Sequence, residues 1–239
     1  MITELYTKII EKGNPIRDMD TMPGLLRVDF HTHTFASYDS LSRPEQLVRA
    51  ARRRGVDRVV VTDHNTLTGA RSAYALDPEL FIIGEEIMTS RGEILASYMT
   101  EEIPSGLSPQ ETIRQLRDQG AFVSLSHPFD SLRSGAWKLD DLLEIAPLVD
   151  AIEIFNARCM APNSNQKASE FASQHGLLGT AGSDAHTPFE LGAAALLLPA
   201  FSGPDSLRTV IPEASVQGNL SPFWVHFFSR YAHLRKMVV

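Results

Sequence analysis

Five of the eight histidines in this chain stand in four short polar segments whose residue types suit metal binding. They are His31 and His33 in Asp29-Phe30-His31-Thr32-His33, His64 closing Thr62-Asp63-His64, His127 in Ser126-His127-Pro128, and His186 in Gly182-Ser183-Asp184-Ala185-His186. Gly84-Glu85-Glu86 adds two adjacent carboxylates. Each segment ends or follows a short apolar run that reads as a strand. Side chains alternate along a strand, so His31 with His33, and Asp184 with His186, can each grip one ion, while only one of Glu85 and Glu86 can face a shared interior. Singly, each segment has a plainer reading: an incidental histidine pair, a hydrogen-bonded terminal imidazole, a surface pair of acids. Together those readings conflict, because imidazoles and carboxylates gathered in one place repel or stay unsatisfied without a cation. Cys159 is the only cysteine, which excludes an intrachain disulfide and thiolate cages. Imidazole and oxygen ligands suit Zn, Mn, Fe or Co.

The elements that must position these residues follow from periodicity. Apolar runs at 25–30, 57–62, 80–86, 94–99, 121–126, 150–154, 177–181 and 194–198 are the strand candidates, and amphipathic segments lie between them. Ser42 with Glu45 reads as a capping box opening a helix that Gly55 ends after three arginines. Ser108, Pro109 and Glu111 repeat the pattern up to Gly120, and a third helix spans 163–175 before Gly176. A doubly wound open sheet would read almost the same; histidines at the ends of many strands favour a barrel, whose active site is built at that rim. The expected fold is therefore α/β: a distorted, seven-stranded TIM-like (β/α) barrel in one domain over 25–220, with an N-terminal extension over 1–24.

The chain has 239 residues, 43% hydrophobic and 21% charged, which fits a globular enzyme and not a disordered or collagen-like chain. Its 29 acidic and 22 basic residues leave a net charge of -7, which disfavours long nucleic acid. No integral membrane segment is expected, and the first residues lack the order of a secretory signal, so the expected location is cytoplasmic.

The motif set Asp29-Phe30-His31-Thr32-His33, Asp39, Thr62-Asp63-His64, Gly84-Glu85-Glu86, His127-Pro128 and Gly182-Ser183-Asp184-Ala185-His186 resembles the PHP family, named for polymerase and histidinol phosphatase. The resemblance runs from residue 29 to residue 186. It implies a distorted seven-stranded barrel with a phosphoesterase site of two or three divalent metal ions, Zn, Mn or Fe. His31, His33, Glu86 and Asp184 would hold one ion, Asp39, His64 and His186 another, and Glu86 would bridge to a third on His127. The chain departs from the pattern at Glu93, where many relatives carry a further histidine, and at Tyr38-Asp39-Ser40, where many read Ser-Asp-Gly. Glu93 is a candidate replacement ligand.

The expected activity is hydrolysis of a small phosphate ester by metal-activated hydroxide. His186 and His64 are candidates for protonating the leaving group. Arg133, six residues after His127, is the first candidate for a phosphate clamp and a catalytic role, since its planar fork matches phosphate oxygens; Arg158 and Asn156 are further substrate-binding candidates. Cleavage of short nucleotides or oligonucleotide ends, amide hydrolysis, and a non-catalytic metal-binding regulatory module are the alternatives. At the C-terminus, over 221–239, Trp224, Phe227, Phe228 and Tyr231 fall on one face of an expected helix, and the simplest reading packs that stripe on the barrel. Arg230, Arg235 and Lys236 make a membrane-surface or partner-docking helix the alternative.

Overall fold

Runs of Val, Ile and Leu become strands wherever turn residues bound them. The computed structural model describes residues 24–238. The extension over 1–24 thus lies, apart from Gly24, outside the described residues. Nine strands form one sheet in the order β7-β6-β5-β4-β3-β2-β1-β8-β9. They are β1 (Leu25–Thr32), β2 (Arg58–Val61), β3 (Phe81–Met88), β4 (Glu93–Ser97), β5 (Phe122–Leu125), β6 (Ala151–Asn156), β7 (Leu178–Gly182), β8 (Ala194–Pro199) and β9 (Ser215–Gly218). The helices are α1 (Pro44–Arg54), α2 (Thr68–Leu76), α3 (Pro109–Asp118), α4 (Leu139–Ile145), α5 (Ser164–His175), α6 (Pro204–Val210) and α7 (Val225–Val238). None of the described helices is long and apolar enough to cross a membrane.

The expected distorted barrel is present as a nearly closed, mixed sheet. β1–β2–β3 and β5–β6–β7 pair in parallel, while β4 runs antiparallel between β3 and β5 because a short hairpin, with no helix, joins it to β3. β1 closes the ring by changing partner along its length. Its first half, Leu25 to Val28, pairs antiparallel with β8; at its C-terminal end Thr32 bridges to Ala185, just past β7. β9, four residues with one apolar side chain and mostly exposed, has no alternation to reveal it and exists by pairing with β8.

Burial organises the helices around this ring. Leu116, Leu142, Ile145 and Phe171 from α3, α4 and α5 pack with Ile87, Ile94, Leu125 and Ile152 of the strands. Leu47 and Ala73 from α1 and α2 pack on Val59, Val61 and Phe81. Each large side chain so buried contributes roughly 1.5–3 kcal/mol. Two local expectations need correction. The N-cap of α1 is Arg43, whose backbone N–H donates to the Gln46 side chain at 2.9 Å, because the Ser42 hydroxyl donates instead to the His186 carbonyl at 3.0 Å. The C-terminal segment is a helix, but its aromatic stripe is not buried on the barrel: Trp224, Phe227, Phe228 and Tyr231 are exposed, and Val225 and Ala232 are the buried residues. The surface beneath α7 offers an arginine, which needs an acceptor, and backbone carbonyls, which need a donor, and the helix presents Ser229 and Lys236 to them.

Candidate metal centre

The polar segments converge at the C-terminal ends of β1, β2, β3, β5 and β7. The rings of His31 and His33 lie 5.1 Å apart, His33 and His64 4.5 Å, His33 and His186 4.2 Å, and His31 and His127 5.9 Å. Glu86 is the hub. Its Oε2 lies 3.2 Å from His31 Nε2, 3.5 Å from His33 Nε2 and 3.2 Å from His64 Nδ1, and its Oε1 lies 3.1 Å from His127 Nε2. Asp184 Oδ1 stands 3.2 Å from His33 Nε2 and 3.6 Å from His31 Nε2. Asp39 sits between His186 Nε2 at 2.9 Å and His64 Nε2 at 3.7 Å. Glu93 joins them, 3.8 Å from His64 Nδ1 and 3.4 Å from His127 Nε2. Glu85 points elsewhere and accepts from the Ile103 N–H.

Hydrogen bonding fixes which nitrogens face the centre. The Ser37 hydroxyl gives its proton to Asp63 at 2.6 Å, so at 3.0 Å it accepts from His33 Nδ1, leaving the His33 lone pair on Nε2. His31 Nδ1 donates to Glu153 at 3.0 Å, which again turns Nε2 inward. These two Nε2 atoms stand 3.1 Å apart with carboxylate oxygens on either side, an arrangement that needs a positive charge between them. Asp39 Oδ1, Asp184 Oδ1 and His127 Nδ1 are buried with no hydrogen-bond partner. The residues therefore fit a divalent cation. Three overlapping triples, His33–His64–His186, His31–His33–Glu86 and His64–Glu86–Glu93, each bring three ligand atoms within 4.8 Å of one another.

The electrostatics point the same way. Burial, with His186 and His64 adding to it, pushes His33 down to about 3, keeping its imidazole neutral. Burial would also lower His64, yet Glu86, Asp39 and Glu93 hold it up at about 9, and Glu86, Asp184 and Glu153 likewise raise His31. Burial would raise Asp39, Glu86 and Asp184, but their cationic neighbours hold all three well below the carboxylate range. Protons on His31 and His64 balance these carboxylates, a role that a bound cation would take over.

The surrounding residues hold this geometry. Glu153 takes His31 Nδ1 on one oxygen and, on the other, the backbone N–H of His127 at 2.8 Å and Asn156 Nδ2 at 3.1 Å. Asp63 receives the N–H and hydroxyl groups of Thr34 and Ser37, pinning the loop that carries Asp39. Neither stood out in the sequence as a site residue; the only trace of Glu153 is a carboxylate in the middle of an apolar strand. Tyr38 stacks on His64 with centroids 4.8 Å apart.

Asn156 is fully buried, with its amide committed to Glu153, Asp184 and the Arg158 N–H, so it braces the cluster where a substrate contact was expected. Arg133 binds Asp184 Oδ2 at 2.6 Å and Asp130 at 3.2 Å. Arg158 lies deeper, with Nε on Glu190 at 3.2 Å and Nη1 on His186.

A mixed β/α barrel with a histidine and carboxylate cluster at one rim defines the class of this protein. A PHP domain family model matches residues 29–94, and a PHP-associated model matches residues 162–216. The uncharacterized protein MJ0417 of Methanocaldococcus jannaschii is 35% identical over 172 residues, covering 71% of this chain and 69% of that protein. The chain belongs to the PHP family. Its fold is similar to that of a two-domain protein from Bacteroides vulgatus containing a predicted PHP-like metal-dependent phosphoesterase, with TM-score 0.65, 21% identity, and coverage of 87% of this chain and 70% of that one. It is also similar to PsfC from Pseudomonas syringae, with TM-score 0.66, 17% identity, and coverage of 90% and 100%.

Proposed function

We propose that this chain hydrolyses the phosphate ester of a small molecule with the help of two or three divalent ions, Zn, Mn or Fe. The observation that carries the reading is the pair of inward Nε2 atoms of His31 and His33, 3.1 Å apart between Glu86 and Asp184, where a bound cation would displace the proton on His31. The ligands would be His31, His33, Glu86 and Asp184 for one ion, Asp39, His64 and His186 for a second, and His127 with Glu86 and Glu93 for a third. Bound there, the ions would bring the pKa of water down towards about 7 and set positive charge against phosphate oxygens. The chain's own contribution is orientation and proton handling. Arg133 and Arg158 flank the cluster on the side of Asp184 and His186 and, tied to those residues, bring positive charge towards phosphate without offering it a free fork. The leaving group would take its proton on the open side of the cluster, where the side chains of His64 and Asp39 keep 9% and 15% exposure, whereas those of His31, His33 and Asp184 have none.

Metal analysis of protein purified without added metal, followed by a screen of phosphate monoesters and diesters with Mn or Zn, tests this. Activity should vanish with chelator, and His33→Ala and Asp184→Ala should lose metal and activity together. Unchanged turnover in Asp184→Ala refutes the assignment.

A further inference from the structure

Helix α7 packs against residues that flank the ligand cluster on two sides. Near its start, Trp224 and Phe228 rest against Phe189, with ring centroids 5.3 and 5.6 Å away. One turn on, the Ser229 hydroxyl accepts from Arg158 Nη2 at 2.5 Å, and His226 Nδ1 stands 3.4 Å from the same nitrogen. Towards its end, His233 meets the edge of the Tyr38 ring at 5.4 Å, and Lys236 donates to the backbone carbonyls of Phe35 and Ser37. Arg158 in turn touches His186, and Tyr38 stacks on His64, so two ligand candidates on either side of the cluster are each one residue away from α7. Ala232 is buried on the same helical face, between Ser229 and Lys236.

We propose that α7 is the substrate-size filter of this site, admitting the phosphate end of a compact ester and shutting out phosphodiesters inside a polymer. The substrate class in this proposal rests on the phosphoesterase reading above. A phosphate within a polymer carries chain on both sides and needs an open groove past the metals. Here α7 spans the rim from Arg158 to Tyr38, latched at both ends, and the exposure that survives among the candidate ligands is small, 15% at Asp39, 9% at His64 and 7% at Glu93. A terminal phosphate can enter through so narrow an opening, whereas chain running on from both sides of a phosphodiester meets α7. Ser229 is a positioning residue: Arg158 Nη1 is bound to His186, its Nε lies 3.2 Å from Glu190 in an ion pair without a hydrogen bond, and the serine hydroxyl fixes Nη2 and hence the plane of the guanidinium.

The test uses full-length protein loaded with Mn or Zn. Lys236→Ala removes one latch without touching a metal ligand, so a chromogenic chelator should strip metal about fivefold faster or more while equilibrium affinity stays within about twofold. The same variant should raise the hydrolysis of a single-stranded oligonucleotide relative to p-nitrophenyl phosphate by about tenfold. Ser229→Ala should raise KM for p-nitrophenyl phosphate by about fivefold with kcat within about twofold, and Ser229→Thr should restore it. Equal stripping rates in wild type and Lys236→Ala overturn the proposal, as does a wild-type protein that cuts the oligonucleotide as readily as the small ester. Absence of hydrolysis of every ester would defeat the phosphoesterase reading and the size filter with it, while the stripping rates would still decide whether α7 covers the cluster.

Discussion

Replacing Glu153 by Gln probes whether the cluster is held as its hydrogen bonds imply. The carboxylate serves three donors: His31 Nδ1 on Oε1, and the His127 N–H with Asn156 Nδ2 on Oε2. An amide has one oxygen and one NH2 group, so Glu153→Gln can satisfy only one of these two sides. If its oxygen takes His127 and Asn156, the NH2 faces His31 Nδ1, which must become the acceptor. The His31 proton then moves to Nε2 and blocks the nitrogen aimed at the metal. If the amide turns the other way, His31 is satisfied, but the NH2 opposes two donors in a fully buried setting and the backbone at His127 must shift.

Either outcome weakens a ligand on one side of Glu86. Loss of such an outer partner typically costs about 10–100-fold in metal affinity, or roughly 1.4–2.7 kcal/mol. Competition between the protein and a chromogenic chelator for Mn or Zn measures this directly, with circular dichroism confirming that the fold persists. Wild-type affinity in a folded Glu153→Gln protein would mean that His31 is not a ligand, or that its tautomer does not matter, and the scheme built on inward lone pairs would fall.

Gly182→Ala should lose metal binding, because a Cβ there would lie 2.3 Å from His31 Cβ and would push that ring out of register; retention of wild-type metal content would show that β1 yields at little cost. Glu85→Gln should change how stability depends on pH. Burial, and beyond it the nearby Glu102, raises the Glu85 carboxyl to about 8, while the unfolded chain ionises near its ordinary value of 4.5. Between those values the unfolded state releases the proton and the folded state keeps it, so wild-type stability falls as pH rises, by up to about 1.4 kcal/mol per pH unit, and levels off above 8. Thermal melts should show Glu85→Gln gaining on wild type from pH 5 to pH 8; a constant difference refutes the assignment.

Much of the site was legible because its chemistry is written in residue types that are rare at strand ends. The two-residue spacing of His31 with His33 and of Asp184 with His186 is a property of strands, and the choice of Glu86 over Glu85, supplied by the family resemblance, agrees with where the structure points each side chain. The eight strand candidates all have counterparts, since each is an apolar run bounded by turn residues. What stayed hidden depends on tertiary placement. Glu153 is one carboxylate in an apolar strand, and its partners are 26 and 122 residues away. Arg133 read as a free fork for phosphate, yet it folds back onto Asp184 and Asp130. The aromatic stripe of α7 obeyed helical spacing, but the face that docked is the neighbouring one with Val225, Ser229, Ala232 and Lys236, and only Trp224 and Phe228 at the edge of the stripe meet an aromatic partner, Phe189.

The backbone explains why so many like-charged groups can be held together. Asp184 N–H donates to the His31 carbonyl at 2.7 Å and His33 N–H to the Ala185 carbonyl at 2.9 Å, tying the ends of β7 and β1. Thr62 N–H donates to the Thr32 carbonyl at 2.8 Å, tying β1 to β2; Glu86 N–H donates to the Asp63 carbonyl at 3.1 Å, tying β2 to β3. Ser126 N–H donates to the Glu93 carbonyl at 3.1 Å, tying β4 to β5. Four joins between the candidate-ligand segments are thus made by main-chain bonds that no ion is needed to form. Asp184 and His127 even hold left-handed backbone, with φ of +53° and +22°, a strain that persists only where surrounding bonds over-determine it. The spacing of the candidate ligands is therefore set by closure of the barrel, and a cation entering the rim would meet donors already in place.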